Sequence, residues 1–273
     1  MMRRFTVLLA SLLACLPITV LADSHSASAD APTVLITGGN RGLGLEFVRQ
    51  YAADGWRVIA TARRPEAADQ LQALAQKNPL IIIEQLDVRD LPAIDALAAK
   101  YAEQAIDVLL NNAALSGSPS PKQMFRRLDF DLFNAFMETN ARGPLKMSEA
   151  FLKHVQASEQ KKIVVITSKG GLFSQLDSMA FGTYFYRASK AAVNMLMVQV
   201  AADVKKRGIT VVLLNPGLVD TQDRLTQMNE KMKLGLTLVP IQESVAGLRN
   251  MIDTLPPEES GVVHQWSGER LDY

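Results

Sequence analysis

The fold of this chain is decided by the stretch Val34-Leu35-Ile36-Thr37-Gly38-Gly39-Asn40-Arg41-Gly42-Leu43-Gly44. Its three apolar residues predict a buried strand, and the glycines predict a tight turn. Leu45-Glu46-Phe47-Val48 then predicts the start of a helix. A glycine-rich turn between strand and helix lets the backbone approach a pyrophosphate, which the free N–H groups of the helix N-terminus can bind. The stretch therefore favours a dinucleotide-binding turn over a purely structural one.

Short apolar runs recur along the chain and alternate with segments of helical periodicity. Continuous apolar runs are typical of strands buried on both faces of a parallel sheet. We therefore predict an α/β fold over residues 33–273: a single-domain, Rossmann-type, doubly wound parallel sheet of about seven strands with helices on both faces. The runs are Val34-Leu35-Ile36, Val58-Ile59-Ala60, Ile81-Ile82-Ile83, Val108-Leu109-Leu110, Ile163-Val164-Val165-Ile166 and Val211-Val212-Leu213-Leu214, with Val262-Val263 and Trp266 as a last edge strand.

The N-terminus has the pattern of a targeting segment. Arg3 and Arg4 precede an uncharged, Leu- and Ala-rich run over residues 5–22. This pattern predicts a signal peptide at residues 1–22, followed by a flexible Ala/Ser-rich linker at 23–32. Alternatives are a membrane anchor, lipid attachment at Cys15, a twin-arginine signal or a start that is never cleaved. We expect export to the periplasm or the extracellular space, with a membrane-anchored or cytoplasmic protein as the alternative.

Composition excludes several classes of function. The chain has 29 Lys+Arg and 28 Asp+Glu residues, so its net charge is +1, which argues against a nucleic-acid partner. A single cysteine, Cys15, excludes an internal disulfide framework and a cysteine-based zinc site. The three histidines lie far apart in the sequence, and we expect no metal. A membrane is expected as a partner only if the N-terminal segment is retained.

The second strand indicates which dinucleotide binds. An NAD site places an acidic residue on the ribose about 20 residues after the glycines. Here the strand ends in Thr61-Ala62-Arg63-Arg64, with no acidic residue between Gly55 and Pro65. Arginine suits a 2′-phosphate by charge and by its bidentate geometry, and Arg41 is placed to approach the same phosphate. We predict NADP(H) over NAD(H); the alternative is a solvated surface cluster of arginines.

Tyr186 and Lys190 are four residues apart at the start of a predicted helix, so they lie on one helical face. A free tyrosine has a pKa near 10. A nearby ammonium favours the phenolate and lowers that pKa. Such a pair can pass a proton to or from an alcohol oxygen. Tyr184 is a rival tyrosine, but its offset from Lys190 directs it elsewhere on the helix.

Seven motifs, in order, resemble those of the short-chain dehydrogenase/reductase family in its compact form. Within that family the chain resembles the C-factor-like carbonyl reductases, on the stretches Asn40-Arg41-Gly42, Ala60-Thr61-Ala62-Arg63, Tyr186-Arg187-Ala188-Ser189-Lys190 and Ser260-Gly261…Trp266-Ser267-Gly268-Glu269. One departure is Ala114, which stands where the family has glycine. The matching motifs are Thr37-Gly38…Gly42-Leu43-Gly44, Asp87, Asn111-Asn112-Ala113-Ala114, Asn140, Ser168, Tyr186 with Lys190, and Asn215-Pro216-Gly217-Leu218-Val219-Asp220-Thr221.

The resemblance implies reversible reduction of a ketone or aldehyde to an alcohol by hydride transfer. It implies that Tyr186 is the general acid/base, that Lys190 binds the ribose and lowers the pKa of Tyr186, that Ser168 binds the carbonyl oxygen, and that Asn140 holds a water. It also implies a homodimer or homotetramer. The implied cofactor-binding residues are Thr37, Gly38, Asn40, Arg41, Gly42, Leu43, Gly44, Arg63, Asp87, Val88, Asn112, Ala113, Tyr186, Lys190, Pro216, Gly217, Val219 and Thr221.

The substrate is less defined by the sequence. The segment 222–240 is apolar and should cover the active site, with residues 125–136 as the opposite wall. This favours an apolar carbonyl substrate, although ordinary helix packing would give the same pattern. Lys169, beside Ser168, is either a solvated lysine or within reach of an anionic substrate. The rival function is an exported nucleotide-binding signalling protein with incidental or no catalytic activity.

Overall fold

The structure, a computed structural model, describes residues 31–115, 120–178, 183–233 and 235–273. They form one eight-stranded sheet whose strand order is 3-2-1-4-5-6-7-8. Every neighbouring pair is parallel except the last, which is antiparallel. The predicted doubly wound parallel sheet is therefore confirmed. The proposed signal peptide at 1–22 and nearly all of the linker at 23–32 lie outside the described residues.

The strands are β1 (Thr33–Ile36), β2 (Arg57–Ala62), β3 (Ile81–Gln85), β4 (Val108–Asn111), β5 (Lys162–Ile166), β6 (Thr210–Asn215), β7 (Val263–Gln265) and β8 (Arg270–Leu271). The α-helices are α1 (Gly42–Ala53), α2 (Asp69–Lys77), α3 (Leu91–Lys100), α4 (Phe130–Met137), α5 (Gly143–Ala150), α6 (Leu152–Gln156), α7 (Tyr184–Val204), α8 (Arg224–Met232) and α9 (Ile241–Thr254). No helix in these ranges is long and apolar enough to cross a membrane.

Helices cover both faces of the sheet, which explains why the strand sequences are apolar without alternation. Successive residues of β1 point to opposite faces. Val34 and Ile36 pack with residues of α1 and α9, such as Phe47 and Leu248. Leu35 packs into the second core, with residues of α3, α5 and α7. The buried strands thus form the middle layer of three.

The last strands differ from the prediction. Val263 belongs to β7, which pairs in parallel with β6, whereas Val262 and Trp266 lie outside the strand. The edge of the sheet is β8, which accounts for the eighth strand. A tight turn causes this difference: Gly268 has a positive φ of 96°, and the Gln265 N–H donates to the Glu269 carbonyl at 2.7 Å. The chain therefore reverses and returns antiparallel.

The strand order reverses at β1, because β2 lies on one side of it and β4 on the other. At such a point the loops that leave the carboxyl ends of neighbouring strands run in opposite directions and open a crevice. The loops after β1, β2, β4, β5 and β6 all leave this edge. The fold therefore places the candidate site residues around one crevice.

Candidate functional site

A cleft of about 820 Å³ lies at the carboxyl edge of the sheet. Its wall comes from the loops that follow β1 to β6, together with the start of α7 and residues near α8. The predicted residues found in this wall are Gly38, Asn40, Arg41, Gly42, Leu43, Gly44, Arg63, Asp87, Val88, Asn112, Ala113, Ser168, Tyr186, Lys190, Pro216, Gly217, Val219 and Thr221. Of the predicted set, Thr37 and Asn140 do not line it.

The glycine turn after β1 requires glycine for two separate reasons. Gly38 and Gly42 have positive φ values of 69° and 56°, a conformation that residues with a Cβ rarely adopt. At Gly44, an added Cβ would lie 2.1 Å from the Gly38 carbonyl oxygen, so the backbone itself fills that space. The turn is thus shaped to expose main chain at the entrance of α1, where an anion is favoured.

Thr37 holds this turn in place from behind. Its hydroxyl oxygen accepts hydrogen bonds from the N–H groups of Asn112 and Ala113, both at 3.0 Å. The Asn112 amide in turn donates to the carbonyls of Thr37 at 2.9 Å and Gly38 at 3.2 Å. Thr37 was predicted to bind cofactor, but it is 1% exposed and sits behind the cleft wall. Its hydroxyl takes part in the hydrogen bonds that join the end of β1 to the loop after β4.

Three arginines surround the end of the cleft formed by β1 and β2. Arg41, Arg63 and Arg64 all line it and are exposed. Within the described residues, none of the three forms an ion pair with a carboxylate. The backbone-lined turn and these unpaired cations fit a dinucleotide that carries an additional phosphate.

Asp87, at the same end, is already paired. The Arg89 guanidinium donates to both of its carboxylate oxygens, with the shortest contact at 2.6 Å. This hydrogen bonding holds the pKa of Asp87 below its ordinary value. Asp87 therefore lines the cleft as a carboxylate whose charge is balanced locally.

The candidate catalytic residues come from β5 and α7. Ser168 lies two residues after the end of β5, and Tyr186 and Lys190 lie on the first two turns of α7. The Lys190 ammonium is 5.8 Å from the centroid of the Tyr186 ring and donates to the Ile166 carbonyl at 2.8 Å. All three residues line the same cleft.

The pKa of Tyr186 is shifted in the direction opposite to the prediction. Burial raises the pKa of the Tyr186 phenol, and a hydrogen bond from Ser168 acts in the opposite direction. The expected lowering of that pKa by Lys190 is not found. The reason is that burial disfavours the charge on both groups: it lowers the pKa of Lys190 to about 8. Tyr186 is therefore a proton donor at neutral pH.

Asn140 lies behind the candidate catalytic residues and outside the cleft wall, in a π-helical turn over Glu138–Arg142. Such turns occur frequently at functional sites. Its side-chain oxygen accepts from the Leu115 N–H at 2.7 Å, and its amide donates to the Ser189 hydroxyl at 3.0 Å. Asn140 thereby connects the loop after β4 to the residue that precedes Lys190.

Several residues of the cleft wall carried no clear signal in the sequence. Gln265 is an example: its side-chain oxygen accepts a hydrogen bond from the Asn215 amide at 2.5 Å. They are 50 residues apart and meet because β6 and β7 are paired in register, which local sequence does not reveal. The others are Ala67, Leu86, Leu115, Thr139, Ile166, Thr167 and Gly170.

Of the two segments predicted to form substrate walls, only one contributes residues to the cleft wall. The segment 222–240 contributes Gln222, Leu225, Thr237 and Val239 to the cleft wall. Residues 125–136 contribute none. The aromatic rings of this segment pack on the start of α7: Phe125 stacks on Tyr184, and Phe130 and Phe133 contact Phe185. The opposite wall therefore stays a prediction.

Comparison with known proteins agrees with this geometry. A family model described as short chain dehydrogenase matches residues 32–233. An uncharacterized oxidoreductase of Schizosaccharomyces pombe is 29% identical over 250 residues, which cover 87% of this chain and 96% of that protein. The NADPH-bound carbonyl reductase from chicken fatty liver has a TM-score of 0.77 and 30% identity, covering 89% of this chain and 99% of that chain.

The carbonyl reductase Sniffer of D. melanogaster also has a TM-score of 0.77, with 25% identity over 89% of this chain and all of that chain. Sequence and fold thus agree along nearly the whole described part of the molecule. The family model alone spans the glycine turn, the serine after β5 and the tyrosine–lysine pair. The chain is accordingly a member of the short-chain dehydrogenase/reductase family, in its compact form.

Proposed function

We propose that this protein is an NADP(H)-dependent oxidoreductase that interconverts a ketone or aldehyde and the corresponding alcohol. The observation that carries the proposal is the meeting of Ser168, Tyr186 and Lys190 in the same cleft as the glycine turn. A nucleotide-binding turn and a proton-transfer pair on one wall are what a hydride-transfer enzyme requires.

Each side chain has a role that follows from its position. When bound, the nicotinamide supplies or accepts a hydride at the substrate carbon. In the direction of reduction, the Ser168 hydroxyl donates a hydrogen bond to the carbonyl oxygen, and the Tyr186 phenol gives that oxygen its proton. The raised pKa of Tyr186 keeps the phenol protonated and suits it to this role. The Lys190 ammonium then stabilises the phenolate that remains.

Asn140 supports this arrangement from behind the wall. It fixes Ser189, and with it the turn of α7 that carries Tyr186 and Lys190, against the loop after β4. We infer that it also holds the water through which Lys190 exchanges protons with solvent. In the oxidation direction the same groups act in reverse: Tyr186 receives the alcohol proton through its phenolate.

The preference for NADP(H) over NAD(H) rests on charge. Arg41, Arg63 and Arg64 present unpaired guanidinium groups at the adenosine end, and Asp87 is neutralised by Arg89. A 2′-phosphate would place its charge among these arginines. The chicken carbonyl reductase, which has this fold, is NADPH-bound; its cofactor supports the same assignment here.

Two further proposals rest on the sequence and the resemblance. We infer a homodimer or homotetramer, in which the exposed Met195 side chain on α7, 70% accessible, would become buried. We infer export through the segment 1–22. Light scattering of the purified protein tests the first, and cell fractionation tests the second.

The function is tested by titrating the purified protein with NADPH and NADH, followed by turnover of a panel of aldehydes and ketones. Tight NADPH binding with turnover supports the proposal. Binding without turnover of any carbonyl compound or alcohol favours the rival nucleotide-binding signalling role. Binding of neither nucleotide contradicts the proposal at its first step.

A further inference from the structure

One of the positive charges that line the cleft has no role assigned so far. Six charged side chains line its described part: Arg41, Arg63, Arg64, Lys169, Lys190 and Asp87. Asp87 is bound by Arg89 and adds little free negative charge. The three arginines lie at the adenosine end, and the Lys190 ammonium is held by the Ile166 carbonyl. Lys169 is the cation that remains without a role.

Lys169 is fixed at the reacting end of the cleft. It follows Ser168 directly, so the Cα atoms of the two residues are about 3.8 Å apart. The Asn215 side-chain oxygen accepts a hydrogen bond from the Lys169 N–H at 3.1 Å, and the Asn215 amide donates to Gln265 at 2.5 Å. All of these residues line the cleft. Residues of the cleft wall therefore hold the main chain of Lys169 in place.

The Lys169 ammonium has no partner within the described chain. Its side chain forms no ion pair or hydrogen bond with any residue in the described ranges, although the residue is half-buried. A cation in a concave, carboxylate-poor wall raises the local concentration of anions and favours their binding. Lysine acts in such a place as a point charge for a carboxylate or phosphate.

The rest of the substrate end is neutral. Ser168 and Tyr186 provide hydrogen-bond donors for one oxygen atom. The described wall beyond them contains no carboxylate that would repel an anion. It consists of Leu218, Val219, Leu225, Thr237 and Val239.

We propose that the substrate is a carbonyl compound with a small apolar body that carries an anionic group, and that Lys169 binds this group while Ser168 and Tyr186 bind the carbonyl oxygen. This inference rests on the proposed function and names its substrate class. Lys169 is thus a specificity-determining residue. Lys169 takes no part in the hydride transfer or in the proton transfer.

The test uses 4-formylbenzoate and its methyl ester, two aldehydes of similar shape that differ in charge. We expect the wild-type enzyme to reduce 4-formylbenzoate with a kcat/KM about tenfold higher than that for the ester, a ratio that falls with added NaCl. Lys169→Met should bring the two kcat/KM values to a ratio near one. Lys206→Met, which removes an exposed lysine outside the cleft wall, is the matched control for the loss of one charge.

A binding measurement separates this inference from the proposed function. Calorimetric titration of the full-length, NADP⁺-loaded protein with each aldehyde reports affinity without reduction. Tighter binding of 4-formylbenzoate by the wild type and by Lys206→Met, and not by Lys169→Met, supports the inference. Equal binding of the two aldehydes by the wild type, or an unchanged preference in Lys169→Met, overturns it. If preference is found but neither aldehyde is reduced with NADPH, the proposed function fails instead.

Discussion

The ammonium of Lys190 lies 5.8 Å from the centre of the Tyr186 ring, one turn further along α7. Burial shifts both groups towards their uncharged forms: the pKa of Tyr186 is raised and that of Lys190 is lowered to about 8. At neutral pH the phenol is therefore protonated, and the ammonium is still charged. The pair is therefore prepared to donate a proton rather than to remove one. In the proposed function, this relationship supplies the acid for reduction of a carbonyl group.

The same relationship predicts how reduction depends on pH. Lys190 keeps its charge below its lowered pKa of about 8 and loses it as the pH rises through that value. Tyr186, with its raised pKa, stays protonated over this range. We therefore expect kcat/KM for reduction to be constant at low pH and to decline above pH ~8. A profile that rises through pH 8, or stays flat to pH 10, would contradict this assignment.

Cofactor preference should depend on Arg63. Removing its guanidinium takes away a charge-assisted contact to a 2′-phosphate, which NADH lacks. We expect Arg63→Ala to weaken NADPH binding about tenfold and to change NADH binding less than about twofold, as measured by fluorescence titration. Arg127→Ala, at an exposed position outside the cleft wall, is the control for the change in net charge. Equal loss for both nucleotides would reject a phosphate-specific role.

The shape of the glycine turn should be sensitive to a single methyl group. A Cβ at position 44 would collide with the Gly38 carbonyl, so we expect Gly44→Ala to abolish NADPH binding and to lower Tm. Gly208→Ala is the matched control, since Gly208 has a positive φ of 71° and open space around it. That variant should lose about 1 kcal/mol of stability and keep its NADPH affinity. Tight NADPH binding by Gly44→Ala would refute the geometry of the turn.

Asn140 should affect both stability and turnover. Its removal leaves the partly buried N–H of Leu115 without its acceptor. We expect Asn140→Ala to lose about 1–3 kcal/mol of unfolding free energy, and to lower kcat more than it raises the KM for NADPH. Urea denaturation and steady-state kinetics measure the two effects. Asn134→Ala, on the exposed face of α4, should change neither; unchanged kcat in Asn140→Ala would remove Asn140 from the mechanism.

Much of this fold could be predicted from local sequence, because its signals are local. Apolar runs marked strands β1 to β6, and the glycines placed the turn before α1. Ser168 follows the apolar run of β5, and Tyr186 and Lys190 lie at the start of the periodic segment of α7. Both elements can be recognised in the sequence, which explains why all three residues could be named as site candidates. The side chain of Thr37 is turned away from the cleft, which the motif did not reveal because a motif gives the position of a residue and not the direction of its side chain.

The remainder depended on contacts between distant residues. Gln265 joins the cleft wall only because β7 pairs with β6, and β8 exists only because the turn at Gly268 returns the chain. The pKa of Tyr186 could not be predicted from its spacing to Lys190. Spacing reports which charges are near, whereas the degree of burial, which decides the direction here, is a property of the whole fold.

The most direct test of the account compares Tyr186→Phe with Tyr184→Phe. Each variant removes one phenolic hydroxyl from the first turn of α7, but only Tyr186 lines the cleft, while Tyr184 is 52% exposed and stacks on Phe125. We expect Tyr186→Phe to bind NADPH normally and to lose about 10²–10⁴-fold in kcat/KM for carbonyl reduction, with Tyr184→Phe unchanged. Reduction by Tyr186→Phe at the wild-type rate would contradict the central claim.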